Sequence, residues 1–112
     1  MEVFTINFNS SEVKKSYSDK RKAFNRQTNI SNIVYLFFEN DNCYYIGETK
    51  ASLYDRCFVN TPCHIDTDWF SMCNKVIIIK LDDELGDIER RALEATFILS
   101  YKSAGHPLAN KK

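Results

Sequence analysis

Two phenols raise the functional question. Tyr35 and Tyr45 stand ten residues apart in the stretch NIVYLFFENDNCYYIGET, an even separation that puts both on one face when the chain between them folds back as two strands. Gly47 lies beside the second, so the pair forms a small polar patch in an otherwise apolar setting. A phenol ionises only near pH of about 10, and any work as a base requires a neighbouring cation to lower that value. Arg56 comes eleven residues after Tyr45. Its guanidinium either projects back over the tyrosines from the first turns of a short helix or makes a weak surface pair with Asp55. Glu94 has Phe97, Ile98 and Tyr101 as helical neighbours. Such a carboxylate sits at the rim of a buried surface or in a cleft, or else pairs at the surface with Arg90 or Arg91. His64 falls in a polar connecting stretch, where a lone histidine is ordinarily a surface residue.

Four cysteines, Cys43, Cys57, Cys63 and Cys73, show no C-x-x-C pair. They read as reduced small hydrophobes, since disulfide frameworks belong to smaller, loop-rich secreted chains. A zinc site from Cys57, Cys63, His64 and Cys73 is the sharper alternative, but its spacing matches no common zinc pattern. The formal net charge is zero, which argues against general polyanion affinity, yet the charges are uneven. Lys14, Lys15, Lys20, Arg21, Lys22 and Arg26 make a basic N-terminal segment opposed only by Glu12 and Asp19. That segment is a candidate nucleic-acid contact or simply a solvated helix face.

The secondary structure that supports these groups is legible from pattern. With 112 residues, 44% of them hydrophobic, the chain makes one domain, 1–112, with a single core. Residues 2–7 suit a strand at an edge or with both faces partly covered, and Asn9, Ser10 or Ser11 can cap a helix from Glu12 to about Arg26. Ile33–Phe38 and Cys43–Thr49, divided by the turn formers Glu39-Asn40-Asp41-Asn42, read as a β-hairpin. Glu48–Ser52 is turn-like, with Ser52 as N-cap of a helix whose buried side holds Leu53, Cys57 and Val59. Residues 61–72 read as a connecting loop with room for a helical turn. KVIIIKL, Lys75–Leu81, is a strand covered on both faces. It completes a three-stranded, mainly antiparallel sheet flanked by helices, an α/β (α+β) fold with an N-terminal strand–helix extension over 1–31. Asp82–Glu84 offer an N-cap for a long helix ending near Ser103, before Gly105 and Pro107. Its sheet-facing side is expected to carry Leu85, Ile88, Ala92, Ala95, Thr96 and Leu99. No run reaches membrane-spanning length and Met1-Glu2-Val3-Phe4 lacks the order of a secretory signal, so a soluble, intracellular protein is expected.

Tyr35, the triplet Tyr45-Ile46-Gly47, Arg56, Glu94 and Asn110 occur in an order that resembles the GIY-YIG nuclease domain, over residues 32–110. The first triplet reads Ile33-Val34-Tyr35 where that family usually has Gly-Ile-Tyr. The resemblance implies a divalent-metal-dependent DNA endonuclease. Glu94 would hold one Mg²⁺ or Mn²⁺, Arg56 would face the phosphate, and Tyr35 would orient or deprotonate the attacking water. Tyr45 would assist at the phosphate and Asn110 would brace the site. Family members often carry a basic residue after the second glycine, where this chain has Glu48, so Lys50 becomes an accessory candidate. They also often carry a tyrosine or histidine four residues after the arginine, where this chain has Asn60, so His64 becomes another. DNA is the implied partner, with a homodimer as the geometric expectation for cutting two strands. Ile33, Glu48 and Asn60 also motivate a second function, a catalytically impaired nucleic-acid-binding module. The neutral charge leaves a third, a protein-interaction domain.

Overall fold

The computed structural model describes residues 1–15, 30–59 and 63–110, with Lys15 as backbone only. Ile33 to Phe38 are six consecutive buried residues, and a strand with both faces covered belongs in the middle of a sheet. It does. Strand β2, Ser31–Glu39, pairs antiparallel on one side with β3, Asn42–Ser52, and on the other with β4, Lys75–Lys80. Ile33, Tyr35 and Phe37 enter one hydrophobic cluster with Val76 and Ile78, while Val34, Leu36 and Phe38 enter a second with Ile79 and Leu81.

The sheet has four strands, not three. Strand β1, Glu2–Asn7, pairs antiparallel along β4 from Glu2↔Lys80 to Asn7↔Lys75, giving the order β1-β4-β2-β3. An apolar β4 left at the edge would expose a row of unpaired backbone groups, and β1 covers them while burying Ile6. The N-terminal strand is thus part of the sheet and takes its edge. Helix α1, Ser10–Lys15, is capped by Asn9, whose Oδ1 accepts from Glu12 N at 3.1 Å. The rest of the helix expected to reach Arg26 lies outside the described residues, as do Lys20, Arg21, Lys22 and Arg26.

The hairpin closes through Asn40 and Asp41, with Asn40 at φ 52, a left-handed conformation that asparagine tolerates. Beyond Gly47 the expected turn is absent, and β3 continues to Ser52 because its register carries through Ile33↔Thr49 to Ser31↔Ser52. Ser52 nonetheless acts as a cap, accepting from Asp55 N at 3.2 Å. A short π-helix, Asp55–Val59, then buries Cys57, with Leu53 buried just before it and Val59 exposed. The connecting stretch holds a 3₁₀ turn, His64–Asp66, and helix α2, Asp68–Met72. All four cysteines are free and buried.

Helix α3, Asp87–Ser103, starts five residues later than the acidic run suggests, with Gly86 as N-cap. Residues 82–85 form a turn instead, in which Leu85 N donates to Asp82 O and Asn32 Nδ2 donates to both Asp82 O and Leu85 O. The C-terminus ends as expected: Gly105, at φ 88, donates to Lys102 O and His106 N to Tyr101 O, a Schellman motif. The face that packs on the sheet is a correction. Leu93, Phe97, Ile98 and Tyr101 pack on the second cluster and Arg90 and Glu94 are buried, whereas Ile88, Ala92, Ala95, Thr96 and Leu99 are exposed. Two aromatics with a leucine and an isoleucine remove more apolar area from water than two alanines, a threonine and two aliphatics. The larger payload faces inward. Among the described residues no helix is long and apolar enough to cross a membrane.

Candidate active site

The β2–β3 register places Tyr35 opposite Gly47 and Tyr45 opposite Phe37, so both phenols share one face. Their ring centroids are 6.4 Å apart. Tyr35 leans across the neighbouring strand: a Cβ added at Gly47 would lie 2.5 Å from Tyr35 Cζ. Glycine is required there by the phenol, since no side chain fits between that ring and the backbone.

Two separate stretches converge on its hydroxyl. Arg56, from the π-helix, stands near enough to the Tyr35 hydroxyl to pull its pKa down, and His64 Nε2 lies 2.6 Å from the same oxygen. Burial, seconded by the Arg56 charge, lowers the His64 pKa from 6.5 to about 3, so the ring is neutral. With the ring neutral, the phenol O–H can donate to Nε2 while the imidazole proton sits on Nδ1. His64 is therefore a buried partner of Tyr35 and not a surface residue, and a contact across 29 positions left no trace in local sequence.

The electrostatics run against an easily ionised phenol. Burial of Tyr35 raises its pKa and the neighbouring Tyr45 adds to the rise, while the Arg56 hydrogen bond and charge pull the other way without offsetting them. Tyr35 is 1% exposed. In this arrangement it is a protonated relay between Arg56 and His64. Tyr45 and Arg56 are half-buried. Tyr45 also stacks on Trp69 of α2, centroids 4.5 Å apart and planes 1° from parallel, a support that composition did not reveal.

The other predicted residues lie elsewhere around β3. Glu48, next to Gly47, points to the α3 side, where Arg90 grips it while also bonding Asn32 Oδ1 at 2.8 Å and Asp87 at 2.6 Å. Glu94 lines a hollow of about 410 Å³ with Glu48, Arg91, Ile98 and Lys102. The sheet packs this residue's helix on the second cluster and the phenols on the first, so Glu94 does not join the Tyr35 cluster. Lys50 is exposed and lends its charge to lowering the Asp87 pKa, behind the side-chain hydrogen bond and charge of Arg90 and the charge of Arg91. Asn110 brackets the free edge of β3: its Oδ1 accepts from Ile46 N at 2.9 Å and its Nδ2 donates to Ile46 O at 2.6 Å. Lys14 is exposed on α1 and bonds Ser71 Oγ.

No family model, curated protein or solved structure matches this chain. For a divalent ion the Glu94 hollow offers two carboxylates, Glu94 and the Glu48 that Arg90 engages, with the cations Arg91 and Lys102 in the same lining. Among the described residues no group of three His, Cys, Asp or Glu is arranged to hold a metal, so an ion there would keep most of its waters.

Proposed function

We propose that this chain is a divalent-metal-dependent DNA endonuclease resembling the GIY-YIG type. The observation that carries the reading is the convergence of Arg56, Tyr45 and His64 on Tyr35 above an obligatory Gly47. Buried polar chains of this kind are costly unless every member is satisfied, and they fix the orientation of the group at their open end. Here that group is the Arg56 guanidinium.

Arg56 would face the non-bridging oxygens of a phosphodiester, a planar donor fork matched to phosphate. The Tyr45 phenol would hydrogen-bond the same group, held in orientation by its stack on Trp69. Tyr35, protonated and enclosed, would position Arg56 and not act as the base. Glu94, with Glu48 beside it, would hold the metal, which when bound supplies hydrated positive charge and an activated water. Gly47 and Glu48 are adjacent in β3, one beneath the phenol and the other lining the Glu94 hollow. A phosphodiester strand would have to pass around the β3 edge to meet both sets of groups.

A second reading, a nucleic-acid-binding module without cleavage, is favoured by one observation: the phenols and Glu94 belong to opposite faces of the sheet. One experiment separates them. Supercoiled plasmid incubated with protein and Mg²⁺, beside an EDTA control, should be nicked by the native chain and left intact by Glu94→Ala. Arg56→Ala should slow cleavage by about 100-fold or more, the size of effect seen when a positioned charge donor is lost, with little change in mobility shift. Full cleavage by Glu94→Ala would end the assignment of the metal to Glu94, and salt-sensitive binding by the native chain without any cleavage would end the nuclease reading and establish the second.

A further inference from the structure

The α3 residues turned away from the sheet form an ordered surface. Ile88, Ala92, Ala95 and Leu99 fall within about 60° of one another around the helix. Ile88 is 83% and Leu99 69% exposed, the largest aliphatic exposures on the helix, and nothing in the described chain covers them. The pattern is symmetric: the aliphatic pair stands outermost and the alanine pair innermost, centred at the level of Leu93 and Glu94. Reversed end for end, the stripe reads the same.

We propose that this face pairs with α3 of a second copy of the chain, the two helices antiparallel about a two-fold axis. Ile88 then meets the partner's Leu99 twice, and Ala92 meets the partner's Ala95, letting the backbones approach closely at the centre. Such a self-complementary patch is what an isologous interface requires. The charges at the ends select the same orientation. Glu84, in the turn before the helix, and Asp87, its first residue, stand exposed, and Lys102 stands exposed in its last turn. Antiparallel pairing brings each Lys102 to the other copy's acidic end, whereas parallel pairing would bring like charge to like.

The pairing stands on the helix surface and is independent of the nuclease reading. Taken together with it, the Glu94 hollows, which flank the stripe through Ala95 and Leu99, open on one side of the two-fold pair. A duplex lying there would offer one strand to each.

Sedimentation velocity of the full chain over about a hundredfold dilution range tests the proposal by mass action. The native chain should pass from dimer to monomer on dilution. Ile88→Lys and Leu99→Glu should each weaken association by about tenfold or more, as expected when a charge replaces a buried aliphatic anchor, and neither change touches the monomer's core. The double variant I88K/L99E places a lysine against a glutamate twice in the antiparallel arrangement, so it should recover association in a salt-sensitive form. A native chain that stays monomeric throughout overturns the proposal, as does a dimer indifferent to both single substitutions. A double variant no better than the singles overturns the antiparallel arrangement.

Discussion

Gly47 and His64 hold Tyr35 in place, one by leaving space and the other by sharing a 2.6 Å hydrogen bond with its hydroxyl. Gly47→Ala forces a methyl group to within 2.5 Å of Tyr35 Cζ, in a ring already packed between Tyr45, Phe37 and His64. We expect a loss of about 1–3 kcal/mol, seen as a drop of roughly 5–15 °C in Tm by calorimetry. A variant as stable as the native chain would mean that the phenol is free to move. His64 makes a pH prediction. Its folded pKa of about 3 lies below its ordinary 6.5, so between those values the unfolded chain binds a proton that the folded one refuses. Stability therefore falls as pH drops from about 6.5 toward 3, by up to about 1.4 kcal/mol for each pH unit, and above 6.5 the residue contributes no slope. Urea denaturation of the native chain and His64→Gln from pH 7 to 4 should show a flatter profile for the variant.

At the scale of elements, the α3 N-terminus is pinned to the hairpin by Arg90, a buried guanidinium satisfied by Glu48, Asp87 and Asn32. Asn32 reaches this position because it takes φ 57 at the register shift between Ser31 and Ile33, and its amide also bonds the turn before the helix. One irregular residue in β2 thus sets where α3 begins. Arg90→Met should cost about 3 kcal/mol or more in chemical denaturation, chiefly because Glu48 is left in a partly buried site without its partner. Arg90→Lys should recover little of the loss, since a point charge cannot serve three acceptors in a fork geometry. Full recovery by lysine would show that charge, and not donor geometry, holds the junction.

For the whole molecule, β1 closes the sheet from the far side of β4 and places the N-terminus against residues 75–80. Removing residues 1–9 would strip Ile6 from the first cluster and leave β4 as an unprotected apolar edge. We expect a truncated chain that aggregates or loses cooperative unfolding, read by light scattering and circular dichroism. A soluble chain of native Tm would make β1 an ornament of the sheet.

The local pattern alone determined the hairpin, the shared face of Tyr35 and Tyr45, the doubly covered strand at Lys75–Lys80, the Ser52 cap and the Gly105 end of the last helix. These depend on neighbours a few residues away, where period and turn chemistry are decisive. Three matters were settled only by tertiary contacts: that β1 joins the sheet, that His64 completes the Tyr35 relay, and which side of α3 faces inward. Periodicity says which residues share a face but not which of two amphipathic faces buries more surface. The sheet chose the aromatic one, and so left Ile88 and Leu99 outward and placed Glu94 across β3 from the phenols.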